Sequence, residues 1–162
     1  LGGAQWDSNF DVFGPPFDNK AVYEFHKYWT PTGKEVIQQY IDYRDRYNVP
    51  IYCGETGENN DEWVMQFRKT LDENNIGWHY WPYKKMDDLS GIMNFKRPAD
   101  YQIIITYTDS VKKNFGDIRK FRPQNTAAVQ KILDDYLTNC RFIHCFPNKG
   151  YIEALGFNLP GN

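Results

Sequence analysis

Between residues 21 and 81 the apolar residues switch repeatedly between a period of two and a helical period, and this alternation limits the folds open to the chain. Residues 21-AVYEFHKYW-29 alternate apolar and polar positions as a strand does. In 30-TPTGKEVIQQYIDYRDRY-47, Val36, Ile37, Tyr40, Ile41 and Tyr47 recur with a helical period, and Thr32 and Glu35 stand at capping-box spacing. Val49 to Glu55 is a short apolar strand. Asn60 or Asp61 caps a second helix carrying Trp63, Val64, Phe67 and Leu71. Asn75-Ile76-Gly77 ends that helix, and 77-GWHYW-81 is a third strand. Strand, helix, strand, helix, strand, with short returns from each helix, predicts an α/β fold with a parallel sheet and right-handed crossovers.

The flanks are less regular. Residues 1–19 are rich in glycine and aromatics, with a Gly-Pro-Pro turn at 14–16, and read as a strand end followed by a long loop. A long polar loop follows the third strand. In 98-PADYQIIITYTDS-110 the run Ile103-Ile104-Ile105 suits a strand, while Tyr101, Ile104, Ile105 and Thr108 fit one helix face. The alternation favours the helix. Further helices are expected over 126–139 and 149–155. No repeat, linker or low-complexity segment divides residues 1–162, which read as one domain.

With 162 residues, 41% hydrophobic and 25% charged, the chain is long enough for one ordinary core. A net charge of −2 gives no footprint for nucleic acid or an acidic membrane, and no apolar run reaches membrane-spanning length. Aromatics are the outlier at 17%, with 12 Tyr, 11 Phe and 5 Trp, and flat faces with polar edges suit cores and sugar-binding clefts alike. The chain opens at Leu1-Gly2-Gly3 with neither an initiator Met nor a signal peptide, which reads as a processed or truncated end. Cys53, Cys140 and Cys145 show no zinc spacing. They read as free structural thiols, with a Cys140–Cys145 bridge open in an oxidising compartment.

Side-chain parity sorts each strand into two faces. Glu24, His26 and Tyr28 share one face of the first strand; Ile51, Cys53 and Glu55 share one on the second; His79 and Trp81 share one on the third. Polar residues thus gather at the C-terminal ends of successive parallel strands, the rim where α/β folds bind ligands. Taken singly, each has a plain alternative. Glu55 could cap the next helix, His26 could be a hydrogen-bonded core histidine, and Trp81 could be core. Glu24, lying deeper, reads as a buried, paired carboxylate and not a catalyst. Trp6 and Asp7 could be rim or ordinary loop residues. Coincidence at three matching strand ends is the weaker explanation.

The strand 25-FHKYW-29, the strand 51-IYCGETG-57 ending near Glu55, and 78-WHYWPYKK-85 resemble glycoside hydrolase family 5, the cellulase family, in order and spacing. The tail 147-PNKGYIEALGF-157 resembles the ends of gut-bacterial members. The resemblance implies a (β/α)8 TIM barrel, with Leu1–Asp7 the end of strand five and the three strands above as six, seven and eight. It implies a retaining endo-acting β-glycoside hydrolase, cellulase-like, working on plant β-glucans. Glu55 would be the nucleophile. Tyr28 would hydrogen-bond it, and His26 would contact the sugar or the acid/base network. Trp81 would be the sugar platform, with Lys84 and Trp6 as further substrate contacts. No metal or organic cofactor is implied, and the setting would be extracellular or periplasmic.

That family places its general acid/base after an Asn at the end of strand four, and this sequence holds no Asn-Glu pair. A complete barrel takes about 250 residues. The expectation is therefore a C-terminal half-barrel, inactive alone, whose partners are the β-glucan and the N-terminal half of the same barrel. A carbohydrate-binding module using an aromatic platform is the alternative, weakened by the two periodic helices. A nucleotide-binding half-domain lacks its Gly-rich phosphate loop.

Overall fold

The computed structural model describes residues 1–158. Its centre is a three-stranded parallel sheet, β1 (Tyr23–Tyr28), β2 (Ile51–Gly57) and β3 (Gly77–Trp81), in that order. Helix α2 (Gln38–Tyr47) crosses from β1 to β2, and α3 (Asp61–Glu73) from β2 to β3. This is the predicted alternation, and it is consistent with part of a barrel. Ahead of it, Gly2 forms a parallel bridge to Glu24 and Leu1 accepts from the Glu24 amide at 2.8 Å, so the first residues lie along the free edge of β1. A single turn, α1 (Ala4–Asp7), then lifts the chain over that edge.

Local chemistry sets the helix ends. The side chain of Asn60 accepts from the Trp63 amide at 2.9 Å and caps α3. Asn48, left-handed at φ 49°, ends α2, and Asn75 at φ 53° follows α3, as short polar side chains tolerate. The expected capping box at Thr32 does not form. Thr32 Oγ1 donates instead to Gln66 Oε1 at 3.0 Å, and the chain enters α2 through a 3-10 turn over Lys34–Ile37 with no side-chain cap. The contact to α3 wins over the local one.

One face of the sheet is packed by the helices. Tyr23, Phe25, Ile51 and Cys53 bury against Ile37, Tyr40, Ile41, Phe67 and Leu71, with the Phe25 and Tyr40 rings stacked at 4.0 Å. A second cluster joins Val64 and Tyr80 to Tyr151, Ala154 and Leu155 of the terminal helix α7 (Lys149–Ala154) and the residue after it. The other face carries Glu24, His26, Tyr28, Tyr52 and Glu55, none fully buried. A parallel sheet ordinarily has both faces covered by apolar contacts. This one keeps a polar face.

Strict alternation fails once, at an instructive place. Phe25 pairs with Cys53, but His26 pairs with Glu55, and the register slips again between Cys53 and Thr56 toward β3. Gly54 is the additional residue of a β-bulge. Ile51 and Cys53 therefore stay in the core, while Glu55 turns to the polar face. The expectation that these three share a face is corrected.

The segment read as a long polar loop contains β4 (Lys84–Met86) and β5 (Met93–Phe95), paired in parallel, with β6 (Phe146–Pro147) antiparallel to β5. The ambiguous isoleucine run is helical, α4 (Gln102–Asp109), and α6 (Thr126–Asn139) falls where its periodicity places it. Helix α5 (Phe115–Phe121) was not anticipated, although Asn114 caps it by accepting from the Asp117 amide at 3.1 Å. These three helices bury only Ile132 among the described residues and leave Ile103, Phe115 and Leu137 exposed. Cys140 and Cys145 are free thiols, as is Cys53, whose pKa burial raises.

Candidate active site

Three strand ends and the turn of α1 surround a cleft of about 460 Å³. His26, Tyr28 and Glu55 line it with Trp6, Trp29 and Trp81. Tyr28 Oη donates to Glu55 Oε2 at 3.2 Å. Burial, then the charge of Glu55 and this hydrogen bond, raise the Tyr28 phenol well above its ordinary pKa. Tyr28 thus donates as a neutral phenol to a carboxylate that remains 40% open to the cleft.

His26 is the hub of the polar face. Its Nε2 lies 3.1 Å from Glu24 Oε1 and 3.6 Å from Asp7 Oδ2, and its Nδ1 lies 3.7 Å from Glu55 Oε2. Glu24 reaches it because Gly54 has no side chain: a Cβ there would stand 1.7 Å from Glu24 Oε1. The bulge glycine therefore does two things, turning Glu55 to the cleft and making room for Glu24. Glu24 is paired as expected but is 39% exposed at its side chain, so the expectation of a buried carboxylate is corrected. Asp7, left open between rim and loop, is brought to His26 by a left-handed backbone of φ 57°.

Trp81 follows from β3 and is 52% exposed over the cleft. Its position depends on Gly57, its partner across β2. Gly57 has φ +115°, and a Cβ on it would fall 2.7 Å from the Trp81 carbonyl oxygen and 2.6 Å from Tyr151 Oη. Gly57→Ala is expected to destabilise the chain by about 1–3 kcal/mol, since both the backbone conformation and the space oppose it. A melting temperature equal to that of the parent would refute this account of the strand end.

Lys84 does not join the site. Its ammonium donates to the carbonyl of Cys140 and lies 5.8 Å from the centre of the Phe95 ring. The neighbouring Lys85 pairs with the cleft residue Glu58 at 2.8 Å instead. Among the described residues, no group of three or more His, Cys, Asp or Glu side chains is placed to hold a metal ion.

No family model matches the chain, and no curated protein matches it. Among solved structures it is similar to a glucanase. That protein is an endo-beta-1,4-glucanase from Xanthomonas axonopodis pv. citri carrying a triple mutation, 17% identical, with a TM-score of 0.37. The likeness covers 68% of this chain and 39% of the glucanase, so the chain spans well under half of that enzyme's length. At this distance the chemistry rests on the geometry of the cleft alone.

Sequence reasoning did not single out Trp29 or Glu58, which also line the cleft. Both have left-handed backbones, at φ 51° and 49°. Nothing in the residue types Trp and Glu announces that conformation.

Proposed function

We propose that the chain carries the nucleophile side of a retaining β-glycoside hydrolase site, endo-acting on plant β-glucans. The observation that carries the reading is a half-exposed carboxylate, Glu55, held by the Tyr28 hydroxyl at 3.2 Å in a cleft edged by an exposed indole. In this reading β1, β2 and β3 are strands six to eight of a (β/α)8 barrel, with Leu1–Asp7 the end of strand five. The general acid/base sits on the N-terminal half of the barrel.

Glu55 attacks the anomeric carbon as the glycosidic C–O bond breaks, forming a glycosyl ester. A second carboxyl group, ~5–5.5 Å away in retaining enzymes, protonates the departing oxygen and then activates water to hydrolyse the ester. Tyr28 orients the attacking oxygen and is not consumed. Trp81 offers its face to the C–H side of the sugar, removing apolar area from water while the hydroxyls keep their partners. His26 tethers Glu24 and Asp7 to the same face, which keeps the cleft floor polar for sugar hydroxyls. Binding without catalysis would use Trp81 but would have no need of the Tyr28–Glu55 contact.

A trapping experiment separates the two. A dinitrophenyl 2-deoxy-2-fluoro-β-cellobioside has a leaving group that departs as a stable phenolate and needs no proton. The fluorine slows both formation and hydrolysis of the ester, and the dinitrophenolate leaving group speeds formation alone, so the adduct accumulates. Mass spectrometry of the digested chain is expected to place the added disaccharide on Glu55. An adduct on Glu24 or Asp7, or none, would sink the assignment.

A further inference from the structure

Trp29 stands at the outer lip of the cleft, one residue beyond β1, and its setting is unusual in three respects. Its backbone is left-handed at φ 51°, a conformation unfavourable for a bulky side chain and found where surrounding structure imposes it. Its indole Nε1 donates to the Glu58 carbonyl oxygen at 3.2 Å. Glu58 is itself pinned by its ion pair with Lys85 at 2.8 Å, and Lys85 reaches Asp88 at 3.3 Å. The residues that follow β1 and β2 are thus tied to β4 at one point on the lip. Yet the indole so anchored is 69% exposed.

A core role does not account for this. Of the five tryptophans, Trp63 and Trp78 pack against the core, with their indole nitrogens bonded to the Thr30 carbonyl and to Asp72. Trp6, Trp29 and Trp81 all line the cleft and remain exposed. In Trp29 the polar edge is satisfied by protein, and the ring, tilted against Tyr28 with centroids 5.4 Å apart, is held while the residue stays 69% exposed. What remains is a flat apolar surface that the fold orients without burying.

We propose that Trp29 is a stacking platform for a further pyranose unit, in a subsite separate from that of Trp81. The ligand is a chain of equatorial β-linked glucose units, whose C–H faces are flat and whose hydroxyls point to the sides and stay hydrated. The proposal rests on reading the cleft as a glycan site. Trp29 flanks Tyr28, with ring centroids 5.4 Å apart, but its indole nitrogen is committed to Glu58 and not to Glu55, so its effect is read on the retention of long chains.

Affinity electrophoresis of the 162-residue chain through gels containing soluble mixed-linkage β-glucan tests it, with Trp29→Ala and Trp29→Gly beside the parent. The parent is expected to be retarded, and both variants to show a Kd raised roughly tenfold. Trp29→Gly, freed of the left-handed penalty, is expected to melt no lower than the parent. If both variants are retarded like the parent, the Trp29 platform is refuted while the glycan reading stands. If both melt clearly lower, Trp29 is a structural anchor and the proposal also fails. A parent that runs unretarded, with Trp81→Ala indistinguishable from it, removes the glycan reading and the Trp29 platform together.

Discussion

Glu55→Gln, in the chain assembled with the N-terminal half of its barrel, is expected to lower β-glucan hydrolysis on the order of 10⁴-fold or more, a loss of the size seen when an enzyme's nucleophile is removed. An amide is isosteric with the carboxylate, and its oxygen can still accept from Tyr28 Oη, which now lies 3.2 Å from Glu55 Oε2. The fold should therefore persist, with an unchanged melting temperature. What is lost is the anionic oxygen that attacks the anomeric carbon, forms the glycosyl ester and is released again as carboxylate when water hydrolyses it. Glu24→Gln and Asp7→Asn make a sharp contrast, because those carboxylates reach His26 and not Glu55. They are expected to cost far less. If either one silences the enzyme while Glu55→Gln does not, the nucleophile has been misplaced by one strand position.

How the sequence points to Glu55, and how it misleads, comes down to Gly54. In β1 the alternation is unbroken, so His26 and Tyr28 can be placed on one face from the sequence alone. In β2 the same rule puts Glu55 beside Cys53, which is fully buried. A carboxylate there would face the aromatic core. The glycine inside an apolar strand is the available signal, because glycine in a strand interior often marks a bulge or a close approach. Here it marks both.

Other features had no comparable signal. Strands β4, β5 and β6 are two or three residues long, too short for a period to register, and β6 pairs with β5 across more than fifty positions of sequence. Lys84 and Lys85 are adjacent and chemically equal. Only the distant Cys140 carbonyl and the bulk of Phe95 decide that the first leaves the cleft while the second meets Glu58. Trp29 and Asp7 reach the lip through left-handed backbones, a conformation that Asp tolerates and Trp does not favour, and neither residue type announces it. Strand order and helix faces are local properties of the pattern. The lip of the cleft is assembled by contacts between loops, and those loops are far apart in sequence.

The 162-residue chain by itself is expected to show no measurable hydrolysis of β-glucan. The sugar alkoxide released from a natural glycosidic bond is a poor leaving group, and departure without a proton forfeits the 10²–10⁴-fold that general acid assistance typically contributes. Glu24 and Asp7 do not supply that proton in this reading, since both are turned toward His26, with Oε1 and Oδ2 at 3.1 and 3.6 Å from its Nε2. Activated dinitrophenyl glycosides escape the requirement, so the same chain can be covalently labelled at Glu55 while remaining inert on polysaccharide. Mixing it with the N-terminal half is expected to restore polysaccharide cleavage, because the β3 edge of the sheet and the exposed apolar residues favour association with a complementary half. The ratio of rates on dinitrophenyl and natural substrates is the decisive reading. It should fall sharply on mixing, as acid assistance returns to the poor leaving group and adds little to the good one. If the isolated chain cleaves β-glucan at an ordinary enzymatic rate, a proton donor lies within residues 1–162. Glu24 or Asp7 would then be the residue to mutate first.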